Sequence, residues 1–183
     1  MNQNQQLNKK MKKTIIFAFA LLSISAFSQT KKPFIIEHCK DNMTDKEYYL
    51  SSKKLVCANA EKTKGFTITP NFKKVDDDIS DNGLILLNVR IGNCDENDQL
   101  IFLFEDDSKI TLTSWNKFNC EGDAYFQTTD EEFKFLSSKL IKSIRFVNGY
   151  KYDTLTYNLK STEKDFFVNA YNNYEIKEVS CND

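Results

Sequence analysis

Leu84 to Gly92 reads Leu-Ile-Leu-Leu-Asn-Val-Arg-Ile-Gly. In an extended chain Ile85, Leu87, Val89 and Ile91 fall on one face, with Asn88 and Arg90 on the other. That period of two belongs to a strand and not to a helix. Short runs of the same character, rich in β-branched and aromatic residues, recur down the chain. They predict strands over 46–50, 53–58, 64–69, 84–92, 99–105, 109–115, 123–128, 141–147 and 150–158. The five glycines, at 65, 83, 92, 122 and 149, fall at or beside the proposed strand ends. Asn82-Gly83 and Asn148-Gly149 read as turns, the second as a tight hairpin between two strands.

Two segments break the pattern. Thr129-Asp130-Glu131-Glu132 is a capping box, followed by Phe133, Leu136 and Leu140 at helical spacing. Thr162-Glu163-Lys164-Asp165 sets acids in a first turn, and Phe166, Phe167, Ala170, Tyr171 and Tyr174 mark an apolar face. Helices are expected over 130–139 and 162–174. The expected fold class is α+β: a mainly antiparallel sheet, curled into a sandwich or half-barrel, with two short helices. The aromatic stripe of the second helix reads as the face that docks on the sheet.

The N-terminus has the form of an export signal. Lys9, Lys10, Lys12 and Lys13 are basic, and Ile15 to Phe27 is apolar apart from Ser23 and Ser25. Ala26-Phe27-Ser28 fits a small-x-small cleavage site, with the cut expected after Ser28. Met11 opens a tidier version of the same leader. The apolar run is short for a membrane span, which takes about 20 apolar residues. The expected organisation is a signal peptide at 1–28, an irregular segment at 29–45 and one globular domain at 46–183. Cleavage removes four lysines and no acid, so the formal net charge moves from −1 to −5. A mildly acidic chain with only Arg90 and Arg145 as arginines is unsuited to nucleic acid, whose phosphates need concentrated positive charge. No stretch of the mature chain is apolar enough to span a membrane. The expected location is periplasmic or secreted.

An oxidising compartment makes disulfides persistent, and there are five cysteines. Leu100 to Trp115 reads as a hairpin. A three-residue loop, Asp106 to Ser108, would set Phe104 against Ile110, Phe102 against Leu112 and Glu105 against Lys109 as an ion pair. In that register Cys94 faces Cys120, and a bond there would staple the open base of the hairpin. The 27-residue loop it closes implies about 3.5 kcal/mol of chain-entropy stabilisation. Cys39 with Cys181 would tie the two ends together. Cys57, in the β-like run Leu55-Val56-Cys57-Ala58, reads as a buried free thiol.

Recognisable catalytic chemistry is sparse. His38 is the single histidine, next in sequence to Cys39, and chain neighbours rarely face each other as a nucleophile pair. No zinc-type Cys-x-x-Cys, phosphate loop or nucleophile elbow occurs. Ser-x-x-Lys occurs at Ser51, Ser114 and Ser161 without the companion motifs of serine acyl enzymes. Asp76-Asp77-Asp78 with Asp81, and Asp95-Glu96-Asn97-Asp98, offer oxygen ligands but lack EF-hand spacing, and read as solvated loops. No metal or cofactor is implied. A carboxylate pair for hydrolysis is set by folding, not by spacing.

Lys-Gly-Phe near 65, Ile-Gly-Asn-Cys near 94, LIFLFED near 104, SWNKFNC near 118 and IRFVNGY near 147 give the body from Tyr48 to Tyr171 its character. In these it resembles small exported proteins of Gram-negative bacteria that have no assigned activity, so the resemblance implies no catalytic residue. The expected function is a non-enzymatic domain that binds a protein, peptide or glycan. A carboxylate-based hydrolase and a structural envelope protein are the alternatives. A candidate contact surface follows if Asn148-Gly149 is a tight turn. Arg145 then pairs with Tyr152, and Tyr150, Tyr152, Thr154 and Thr156 share one outward face beside it.

Overall fold

A computed structural model of the chain describes residues 31–59, 61, 64–89, 97–114, 123–149 and 154–181. Among these are eleven strands, two helices and two sheets. The strands are β1 (Phe34–Lys40), β2 (Glu47–Ser51), β3 (Leu55–Ala58), β4 (Gly65–Val75), β5 (Asp78–Val89), β6 (Gln99–Phe104), β7 (Lys109–Thr113), β8 (Asp123–Phe126), β9 (Ile141–Val147), β10 (Thr154–Asn158) and β11 (Tyr174–Glu178). Helix α1 (Asp130–Ser138) lies between β8 and β9, and α2 (Phe166–Asn172) between β10 and β11. The larger sheet runs β11-β1-β2-β4-β5-β8, with β3 also paired to β4; the smaller runs β10-β9-β6-β7. Every strand pair is antiparallel except β1 with β11. The fold is α+β, with one sheet curled as a half-barrel. A lone bridge from Ser114 to Phe126 joins the β7 edge of one sheet to β8 of the other.

Alternation places the core. Phe66 and Ile68 of β4, Leu84 and Leu86 of β5, and Leu100, Phe102 and Phe104 of β6 are fully buried. They meet Ile144 and Phe146 of β9 in one apolar cluster between the sheets, where Phe66 and Phe146 rings lie 6.0 Å apart. Each such side chain contributes roughly 1.5–3 kcal/mol by leaving water. In β5 it is therefore Leu84 and Leu86 that face the core, while Ile85 lies on the opposite, half-buried face. A smaller cluster of Phe34, Ile36, Tyr49, Phe72 and Ala170 fixes β1, β2 and α2 together.

Several expectations are corrected. Residues 34–40, expected to be irregular, form β1, because Phe34 and Ile36 alternate into the second cluster. The compact unit accordingly begins at Pro33. Asn82-Gly83 is no turn. Strand β4 continues to Val75, and Asp76-Asp77 make the hairpin turn, with Asp76 at φ 55. Asn82-Gly83 instead carries an irregularity inside β5, where the register shifts opposite Pro70 and Phe72. Gly83 has φ 91, and a Cβ there would sit 2.3 Å from the Phe126 carbonyl oxygen. Only glycine meets both conditions.

Helix α1 matches its expected span and carries the full capping box. The Glu132 amide donates to Thr129 Oγ1 (3.3 Å), and the Thr129 amide donates to Glu132 Oε2 (2.8 Å). Leu140 falls beyond its end and is exposed. The second helix is shorter than expected. Residues 161–165 are turns, and Tyr174 opens β11 instead of closing the helix. The Phe34 amide donates to the Asn173 carbonyl (2.7 Å), so the helix ends where the chain begins to pair with β1.

Candidate functional site

Strand β1 separates two different surroundings. In its register with β2, Glu37 lies opposite Leu50 and Cys39 opposite Tyr48, so these four share the outer face. His38 lies opposite Tyr49 and turns the other way, toward the second core cluster.

The outer face holds a cavity of about 720 Å³, within the range of small-ligand sites. Glu37, Tyr48 and Leu50 form its floor, Asp41 its near end, and Val179 to Cys181 its opposite wall. That wall is fixed covalently. Cys39 and Cys181, 142 residues apart in sequence, are bonded, with Cα atoms 5.2 Å apart. The Val179 amide donates to the His38 carbonyl (2.9 Å), which continues the β11 ladder into the wall. Tyr48 and Leu50 are 42% and 47% exposed, high for side chains of their size in a strand. Asp41 is tied into its own loop. Its Oδ1 accepts from the Met43 amide (2.8 Å), and its Oδ2 from Thr44 Oγ1 (2.6 Å). The Thr44 hydroxyl and the Met43 amide hold its carboxyl below the usual carboxylate range. Glu37 has no hydrogen-bond or ion-pair partner among the described residues.

On the inner face His38 sits among acids. Its Nδ1 donates to the Glu178 carboxylate (2.8 Å), and its Nε2 lies 3.6 Å from Glu47 Oε2. Its ring stacks on Tyr49, with centroids 4.6 Å apart. The Tyr49 hydroxyl donates to Glu47 (2.9 Å), and burial together with that carboxylate raises its pKa to about 12. A histidine–carboxylate pair is half of a nucleophilic site, but the adjacent cysteine does not complete it. Cys39 is spent in the disulfide, and its side chain points to the other face.

The other sequence candidates fall elsewhere. Cys94 and Cys120 lie outside the described residues, as do Tyr150 and Tyr152. The hairpin register that motivated the first pair is corrected. Phe102 pairs with Ile110, and Leu100 with Leu112. The three-residue loop is Glu105 to Asp107, one residue earlier than expected, because Asp107 takes φ 61 and the Asp107 amide closes a turn on Phe104 (3.0 Å). Glu105 pairs with Lys164 and not with Lys109. Arg145 does not line the cavity. It lies opposite Thr156 and not Tyr152, and its Nε donates to Thr156 Oγ1 (2.9 Å). The tight Asn148-Gly149 turn is overturned, since Val147 pairs with Thr154. Its physical reason is Asp98, whose Oδ1 accepts from Asn148 Nδ2 (3.1 Å) and from the Gly149 amide (2.8 Å). Asn148 is fully buried there.

Sequence reasoning missed the cavity. Its lining comes from the segment read as irregular, from the strand expected at 46–50 and from residues 179–181, to which no element was assigned. The usable signal was Cys39 with Cys181, which brings the first and last of these together. Cys57 is buried and unbonded, and burial pushes its thiol pKa far up, which leaves it inert. Among the described residues, no group of His, Cys, Asp and Glu could hold a metal ion. Among the same residues, no helix is long and apolar enough to cross a membrane. Set against known protein families, curated proteins and solved structures, the chain matches none.

Proposed function

We propose that this chain is an exported, non-enzymatic binding domain, and that the cavity beside the Cys39–Cys181 bond is its ligand site. The observation that carries the reading is the floor of that cavity. An exposed tyrosine ring and an exposed leucine stand beside a carboxylate that has no hydrogen-bond or ion-pair partner among the described residues. Apolar area with a few convergent polar groups is what a binding cleft needs.

The hydrolase alternative fits this geometry less well. Glu37 and Asp41 are four residues apart on nearly extended chain, which places their Cα atoms about 13 Å apart. Carboxyl groups paired for glycoside hydrolysis stand about 5–9.5 Å apart, so these two side chains would have to lean together, whereas the Asp41 carboxylate is turned into its own loop. Asp41 is also held ionised by its own loop, so it is unsuited to act as a general acid.

A thermal-shift panel of defined peptides and oligosaccharides tests the proposal. At least one class is expected to raise the melting temperature of the wild-type protein. The Tyr48→Ala/Leu50→Ala variant should melt normally and lose that shift. A shift that survives in the variant would move the site elsewhere. A panel without any response would favour structural service in the envelope.

A further inference from the structure

We infer that the cavity takes a lysine or arginine side chain presented by a peptide with aliphatic neighbours. The inference rests on the binding reading above and names its ligand class. Hydrogen-bonding capacity selects the ligand. The carboxylate oxygens of Glu37 and Asp41 accept hydrogen bonds, and the remaining side-chain polar groups of the lining are the hydroxyls of Tyr48 and Ser180. A lining so dominated by acceptors is matched by a group that only donates, which is what an ammonium or guanidinium does.

The nearby lysines leave Glu37 without an ion pair. Lys40 is committed to Asp45 at 2.9 Å, and Lys46 stands near Asp41. Lys177 is the register neighbour of Glu37 on β11, yet forms no ion pair with it. Glu37 therefore faces the cavity without an ion-pair partner among the described residues. A cation there gains a charge-assisted bond that no described residue supplies.

The rest of the lining is apolar. The Tyr48 ring face can lie against a cation, and Leu50 and Val179 can lie against aliphatic carbons. A cavity of about 720 Å³ is far larger than a lone ammonium, so neighbouring side chains of the same ligand are needed to fill it. The mature net charge of −5 adds long-range attraction for a cationic partner.

The test is calorimetric titration of the purified full chain with three probes: acetyl-Leu-Lys-Leu-amide, acetyl-Leu-Gln-Leu-amide and chitotriose. The lysine peptide should bind at least about tenfold more tightly than the other two, as expected when a charged hydrogen bond is lost. Glu37→Gln should erase that preference without changing the melting temperature, and raised salt should weaken only the lysine peptide. Equal binding of both peptides, or a lysine preference that survives Glu37→Gln, would overturn the charge inference. The binding reading would still stand if Tyr48→Ala weakened both peptides. Preference for chitotriose would overturn the peptide class in favour of a glycan. No binding by any probe at millimolar concentration would overturn the inference and the site together.

Discussion

Asp81 shows how a single residue carries a conflict. It accepts from the Tyr171 hydroxyl (2.8 Å) and from the Thr128 hydroxyl, and so joins β5 to α2 and to the segment before α1. Desolvation outweighs those bonds and raises its carboxyl pKa above the ordinary value of 3.8. A raised acid favours the folded state fully below 3.8, and that contribution is lost as pH climbs through the folded value. Asp81→Asn keeps an acceptor for Tyr171 and removes the charge. Relative to wild type, the variant should gain stability as pH rises from about 4 to 7 in chemical denaturation. A difference between the two that stays constant with pH would refute this account. Nothing in Ile79-Ser80-Asp81-Asn82 announces the role, because burial of Asp81 depends on helices that arrive much later in the chain. The residue-scale features that were legible are the local ones, such as the Thr129–Glu132 capping box, whose partners are three residues apart.

At the scale of elements, sequence pattern fixes which face of a strand is buried more firmly than which residue it pairs with. The β6–β7 register differs from expectation by two residues in the pair sum, and β9–β10 by four. Both shifts are even, so Phe102, Phe104, Ile110 and Leu112 remain on the core side, and Thr154 and Thr156 remain outside with Arg145. The apolar stripes tolerate an even slip, and only the loops decide it. In the β6–β7 loop three lysines from distant segments settle the matter. Lys139 binds Asp106 (2.7 Å), Lys142 binds Asp107 (2.8 Å) and Lys164 binds Glu105. Exposed pairs of this kind add little beside the burial of Phe102 and Phe104, but they hold the turn in one place. Hydrogen bonds from Lys139 and then Ser108 lower the Asp106 pKa to about 2. A lowered acid stabilises the fold above 3.8, and that share vanishes as pH falls toward about 2. Lys139→Met keeps an unbranched apolar stem and removes the ammonium, which also lies over the Phe135 ring at 4.1 Å. Its deficit against wild type should therefore be largest above about pH 4 and shrink on acidification. A deficit that does not change with pH would assign the role of Lys139 to its contact with the Phe135 ring and not to Asp106.

For the whole molecule, the part least legible in sequence is the one that creates the cavity. Strand β1 pairs in parallel with β11, across 140 residues from His38 to Glu178. Local pattern has no access to such a separation, and only the cysteine pair at 39 and 181 hinted at it. In the chain-entropy view a loop of this size stabilises the fold by about 5 kcal/mol. Cys39→Ser with Cys181→Ser should lower stability by up to that amount and free the wall at 179–181. Ligand-induced protection of Tyr48 and Leu50 should fall with it in hydrogen exchange. The same bond has a mechanical meaning. Nearly all the folded chain lies inside a covalent ring, so tension applied before β1 and after Cys181 travels along β1, through the sulfurs, and out. Strand β1 is already extended and has almost no length to release. With the bond intact, pulling on the ends should lengthen the protein hardly at all, whatever the sheets do. With it reduced, the same pull reaches the whole ring and can release roughly 450–500 Å of hidden chain. This fold is thus one whose extensibility is set by a single redox event and not by the strength of its sheets.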